Sequence, residues 1–140
     1  MAQPTIKVIN NQKHIFCLVR KKWLVLTPEE KVRQFMLHLL VEQYQFPLKY
    51  ISVEKTITVN ELSKRYDIVV FNQQLQPKIL IECKEESIVL NEKTLKQIAT
   101  YNLKLHVPFL VITNGKQIFY FEIKGETSTQ IFALPDFKDL

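Results

Sequence analysis

Two apolar runs rich in Val and Ile, Arg65 to Phe71 and Lys78 to Lys84, constrain this chain more than any other feature. β-branched residues at this density favour extended backbone. The spacer Asn72 to Pro77 has the composition of a turn, so the runs read as adjacent antiparallel strands. Tyr50 to Val59 alternates apolar Ile51, Val53, Ile57 and Val59 with polar residues, a period of two that adds a third strand and completes a meander.

The flanking segments extend the pattern. Residues 5 to 9 and 15 to 19 are β-rich and separated by Asn10 to Lys13, which predicts an N-terminal hairpin; Trp23 to Leu26 is a further short extended piece. Thr27-Pro28-Glu29-Glu30 is a helix start, with Thr27 as cap, Pro28 at the first helical position and Glu30 closing a capping box. About 17 helical residues should follow, burying Val32, Phe35, Met36, Leu39 and Leu40 and ending before Pro47. Residues 91 to 105 return to helical spacing, with Leu95, Ile98 and Ala99 inward and Lys93, Gln97, Tyr101 and Lys104 on the opposite side. Phe109 to Thr113 reads as a buried strand, Asn114-Gly115 as a hairpin turn and Gln117 to Ile123 as its partner strand, with a short edge segment after Gly125.

These elements make one domain over residues 1–140: an extended N-terminal part (1–26), a core (27–124) and a tail (125–140). With 46% apolar residues in 140, the chain can bury a core without staples. Cys17 and Cys83 are the only cysteines, which argues against disulfide or zinc scaffolds and for a reducing compartment. No secretion signal or run of roughly 18 apolar residues is evident, so a cytoplasmic location without membrane association is expected. Two glycines are too few for a phosphate-cradling glycine loop. The formal charge of +5 suits a polyanionic partner, and equally suits ordinary solubility.

The chemistry-bearing residues sit at strand ends. Glu82 and Lys84 follow the apolar Ile79-Leu80-Ile81 and project from one face, with Cys83 on the other. Asp67 is the one acid in the neighbouring apolar run, and strand pairing could bring it beside Glu82. Two such carboxylates can hold a hard divalent cation, Mg²⁺ or Mn²⁺. Lys84 could then position the attacking water and offset charge on a phosphate. Without that ion, a strand-end Glu and Lys make a solvated ion pair worth about 0–1 kcal/mol.

The ordered blocks "LTPEEKVRQ", "KRYDIVVF", "KILIECKE", "QIATY" and "PFLVITNG" resemble the N-terminal nuclease domain of type I restriction enzyme R subunits, over residues 20 to 124. The resemblance implies the α/β fold of the PD-(D/E)XK nucleases, a central mixed sheet flanked by helices, and Mg²⁺-dependent cleavage of DNA. It implies Asp67 and Glu82 as metal ligands, Lys84 as the catalytic lysine and the carbonyl of Cys83 as a further ligand. Glu30 matches the acid on the first helix of such nucleases, although its capping role accounts for it without a metal, and Glu29 could substitute. Gln97 and Tyr101 match a Q-x-x-x-Y pattern carried by DNA-processing members. They would line the DNA side with Lys93 and Lys104 as phosphate contacts, or form only the wet face of a helix.

Arg20, Lys21 and Lys22 beside Trp23 suit nucleic-acid backbone contacts or a solvated turn. Arg33, one turn after Glu30, can pair with it. Lys64 and Arg65 could bind phosphate or protect an edge strand, and Glu54 is a secondary acidic candidate. R subunits carry an ATP-driven motor after this domain, and nothing here resembles one. The expectation is a nuclease acting alone, as a homodimer for double-strand cleavage, or with separate restriction or repair subunits. The rival expectation keeps the fold as a catalytically silent nucleic-acid-binding or assembly module.

Overall fold

The computed structural model describes residues 4–140. The N-terminal part forms a three-stranded antiparallel sheet, β1 (Ile6–Ile9), β2 (Gln12–Cys17) and β3 (Lys22–Val25). Its first turn is tighter than the sequence suggested. Asn10 and Asn11 alone reverse the chain, both at positive φ (50° and 63°), so Gln12 and Lys13 belong to β2. Two left-handed residues match the twist of a two-residue hairpin, and Asn tolerates that conformation.

Helix α1 (Pro28–His38) begins where expected, with Thr27 Oγ1 accepting from the Glu30 amide at 3.0 Å. The reciprocal arm of the box is absent, because the Glu30 carboxylate turns to Arg33 and Gln34 instead. The helical run continues as a π-helical segment, Leu39–Gln43, and stops short of Pro47. Val32, Met36, Leu39 and Leu40 are buried, and Phe35 is half-buried.

The main sheet has six strands in the order β4 (Ile51–Val59), β5 (Leu62–Phe71), β6 (Pro77–Cys83), β7 (Phe109–Thr113), β8 (Ile118–Lys124), β9 (Thr127–Ile131). All neighbours are antiparallel except β6 and β7, which run parallel and are joined by the crossover helix α2 (Glu92–Leu103). A parallel pair needs such a crossover, and this one makes the sheet mixed. The edge segment after Gly125 is β9, paired along its whole length with β8.

One face of the sheet packs Ile68, Val70, Ile79, Ile81 and Cys83 against α1. The other packs Val69, Leu80, Leu110 and Ile112 against α2, where Ala99 is buried. A buried polar pin adds to the second interface: Tyr66 donates its hydroxyl to Asn102 Oδ1, and Asn102 Nδ2 donates to the Ile98 carbonyl at 2.7 Å. No helix among the described residues is long and apolar enough to cross a membrane.

Candidate active-site cleft

Strand alternation breaks at Asp67. Tyr66 packs on the α2 side, yet Ile68, two residues on, packs on the α1 side. Opposite it, the β4–β5 ladder passes from Val53↔Ile68 to Lys55↔Tyr66 without pairing Glu54 to Asp67. Glu54 there adopts φ 48°, a left-handed conformation uncommon for a residue with a Cβ. Local strain of this kind persists only where surrounding contacts impose it. The slip turns Asp67 toward the end of the sheet, where a cleft of about 570 Å³ opens.

Asp67, Glu82, Cys83 and Lys84 all line this cleft, together with Arg33, Lys64, Arg65, Glu29 and Glu54. β5 and β6 pair Ile68 with Ile81, so Asp67 and Glu82 stand next in register. Their side chains enter from different sides. Asp67 Oδ1 accepts from Arg33 Nη2 at 2.9 Å, and Oδ2 accepts from the Cys83 amide at 2.7 Å. Glu82, only 4% exposed, is paired with Lys64 from the α2 side. Its Oε1 is buried, and the ammonium of Lys64 lies directly against it. The Lys84 side chain is half-buried at the strand end, where its own amide is fixed by the Thr113 carbonyl at 2.7 Å.

Arg33 organises the α1 side. Its side chain is 7% exposed and reaches Glu30 Oε1 at 2.6 Å as well as Asp67. Glu54 lies 3.8 Å away and also pairs with Arg20 and, at 3.1 Å, Arg65. Burial opposes the charge of Arg33, but the hydrogen bond to Asp67 and the carboxylates of Glu30, Asp67 and Glu54 outweigh it and hold its pKa above the ordinary value. Partial burial likewise works against ionised Glu54, and three surrounding arginines reverse the balance and lower its pKa. Lys64 moves the other way: burial and the nearby charge of Lys84 lower its pKa, with Asp67 offsetting them only in part. Burial in the apolar α1 face pushes the Cys83 thiol well up, so it stays protonated and is no nucleophile.

Other sequence candidates lie elsewhere. Glu30 is buried behind Arg33 and does not line the cleft, whereas its neighbour Glu29 does. Gln97 and Lys93 are exposed with Lys96 and Thr100 around a separate surface hollow on α2, so this helix face turns Gln97 away from the cleft. Lys104 borders another hollow with Asn60 and Leu62. Tyr101 is exposed but reaches the cleft indirectly, its ring 5.1 Å from Lys64 Nζ. Lys21 and Lys22 are exposed at the β2–β3 turn, and Arg20 alone of that cluster joins the cleft network through Glu54.

The partners that sequence reasoning missed are Lys64 for Glu82 and Arg33 for Asp67. Lys64 had one usable signal, its position two residues before Tyr66 on an alternating strand; Arg33 had only its spacing from Glu30.

No curated protein matches the chain in sequence. Among solved structures, one of a candidate nuclease of the DUF820 family from Anabaena variabilis ATCC 29413 superposes with a TM-score of 0.54. The two share 11% identity over 100% of this chain and 88% of the other. That similarity, with the mixed sheet and its two flanking helices, identifies the fold as restriction-endonuclease-like. The family model for the type I restriction enzyme R protein N terminus matches residues 28–137, most of the chain, and this protein therefore belongs to that family as a nuclease-like domain.

Proposed function

We propose that this domain is a Mg²⁺-dependent deoxyribonuclease, able to use Mn²⁺, whose working residues are Asp67, Glu82 and Lys84. The observation that carries the reading is the opening of two carboxylates and a lysine, from adjacent strands, into one cleft at the end of the sheet. Family membership supports DNA as the substrate and separate restriction subunits as partners.

Among the described residues, no three His, Cys, Asp or Glu side chains converge on a point as a ready-made metal cage. Mg²⁺ does not require one, since it is commonly held by one or two carboxylates with waters and substrate phosphates. The donor set is all oxygen, from Asp67, Glu82 and the Cys83 carbonyl, and Glu82 Oε1 is a buried carboxylate oxygen whose partner is the Lys64 ammonium alone. The residues therefore fit such an ion. Bound there, it would withdraw charge from a phosphate and acidify water.

The chain's own groups perform the remaining work. Arg33 and the Cys83 amide grip one oxygen each of Asp67 and fix its rotamer, leaving further lone pairs on both oxygens for the cleft. Lys84 follows a strand end anchored to β7 and lines the cleft, where its ammonium would offset charge developing on a phosphate. Arg65 and Arg20, at the cleft margin, supply charge for neighbouring backbone phosphates.

A second reading, a silent nucleic-acid-binding module, is favoured by one observation: each carboxylate already carries a cation from the chain, Arg33 on Asp67 and Lys64 on Glu82. A supercoiled-plasmid nicking assay separates the two. The enzyme reading expects nicking with Mg²⁺, none in EDTA, and none from Asp67→Asn or Lys84→Ala proteins that keep their circular dichroism spectrum. Binding of DNA without cleavage under any divalent ion decides for the module.

A further inference from the structure

Lys64 stands apart from the other cations of the cleft. Arg33 is locked, with each of its two terminal nitrogens on a carboxylate. Lys64 instead makes one ion pair, to Glu82, through a single ammonium on a flexible stem. Its Nζ lies 5.1 Å from the ring centroids of both Tyr66 and Tyr101, so two aromatic faces hold the charge at the cleft wall whether or not Glu82 is its partner. Its side chain is 30% exposed, while that of Glu82 is 6% exposed. The carboxylate cannot follow solvent, and the lysine can.

A buried carboxylate needs a counter-charge at all times. Glu82 has one in Lys64, a single ammonium on a flexible, partly exposed stem. A lone monovalent partner of that kind can be exchanged for a harder cation of higher charge. Once released, the ammonium would in turn need an anion, and Lys84 beside it in the cleft makes an isolated second ammonium unfavourable. A phosphate oxygen entering the cleft satisfies that need.

We propose that Lys64 is an exchanging cation of the cleft: it neutralises Glu82 in the free protein, yields that oxygen to a divalent cation, and takes a backbone phosphate of the bound strand. The proposal rests on the metal-dependent reading and adds a consequence to it: divalent ion and DNA bind cooperatively through this side chain. By linkage, each then tightens the other by the same factor.

Two binding measurements on the intact protein test this without cleavage. Mn²⁺ binding is followed by isothermal titration calorimetry at pH 7.5 for wild type, Lys64→Met, Lys84→Met and Glu82→Gln. Binding of a fluorescent DNA duplex is followed by anisotropy in Ca²⁺ or EDTA. The expected result is Mn²⁺ binding about tenfold tighter in Lys64→Met, the order expected for removing one competing unit charge at ion-pair distance near solvent. Lys84→Met should change it less, and Glu82→Gln should abolish it. Ca²⁺ should tighten DNA binding by wild type but not by Lys64→Met. Wild type that binds Mn²⁺ no more weakly than Lys64→Met overturns the proposal while leaving the metal reading intact. Absence of Mn²⁺ binding in every variant overturns both. Thermal unfolding verifies the fold of each variant, and Lys64→Gln replaces Lys64→Met if the latter unfolds.

Discussion

Arg33 Nη2 donates to Asp67 Oδ1 at 2.9 Å, tying the first helix to the strand that carries the central acid of the cleft. The same guanidinium holds Glu30 at 2.6 Å, so one buried side chain neutralises two carboxylates. Removing one partner of a buried ion pair typically costs about 3–5 kcal/mol, because charge is left without compensation. Arg33→Met should therefore lower unfolding stability in urea by about 3 kcal/mol or more. Arg33→Lys should recover only part of it, since an ammonium cannot reproduce the planar fork. A loss under about 1 kcal/mol in Arg33→Met would show that Asp67 and Glu30 find other partners.

The acid side of the pH profile should report on Glu54. Its pKa is lowered by Arg33, Arg20 and Arg65 against an opposing burial effect, so in the folded state it stays ionised below the ordinary carboxylate value of 4.5. In that window the unfolded chain binds the extra proton, and stability falls as pH drops. The contribution is fully present above pH 4.5 and disappears as pH passes below the folded value. Glu54→Gln should flatten this part of the curve relative to wild type, and parallel curves below pH 4.5 would remove the arginine cluster from the account.

Much of this architecture was legible in the chain because its signals are local. Thr27 and Pro28 start α1, Asn114-Gly115 turns the last hairpin, and the Val- and Ile-rich runs become β5 and β6. Asp67, Glu82 and Lys84 were legible as charges set against apolar strands. What local pattern could not reveal was the slip in alternation at Asp67, which depends on the left-handed Glu54 in another strand. Without that slip, strict alternation gives no reason to place Asp67 on Arg33. Gln97 lies away from the cleft for the opposite reason: its spacing to Tyr101 shares a helix side, but the rotation of α2 on the sheet is set by Ala99 and Asn102, and these leave Gln97 in solvent.

That placement carries its own expectation. Gln97→Ala and Lys93→Ala should change Mg²⁺-dependent nicking by less than about threefold, as surface changes away from the reacting groups generally do little. A drop in rate comparable to that of Lys84→Ala, with binding unchanged, would mean that α2 rotates toward the cleft when DNA is bound.

The polar pin under α2 contributes to stability. Tyr66 is 1% exposed and its hydroxyl reaches Asn102, which is fully buried and anchored to the Ile98 carbonyl. Tyr66→Phe strands the Asn102 oxygen in an apolar layer, at a cost of about 1–3 kcal/mol. Denaturant titration should show that loss. Replacing both members, as Tyr66→Phe with Asn102→Leu, should cost less than the sum of the single changes, because no unpaired polar atom remains.

Gly115 couples the last hairpin to the helix that carries Arg33. It sits at φ 88°, and its amide donates to Thr113 Oγ1 at 3.0 Å while Asn114 Oδ1 accepts from the amides of Lys116 and Gln117. A Cβ at this position would stand 3.3 Å from Val32 Cγ2, a buried side chain on α1 adjacent to Arg33. Gly115→Ala thus meets two penalties, a left-handed backbone and a crowded helix, and should destabilise by about 1–2 kcal/mol. Gly125 provides the control, since its φ of 57° is similarly left-handed but a Cβ there would meet nothing within 4 Å. Gly125→Ala should therefore show the backbone penalty alone, and equal losses in the two variants by thermal or urea unfolding would mean that α1 yields to the hairpin at no cost.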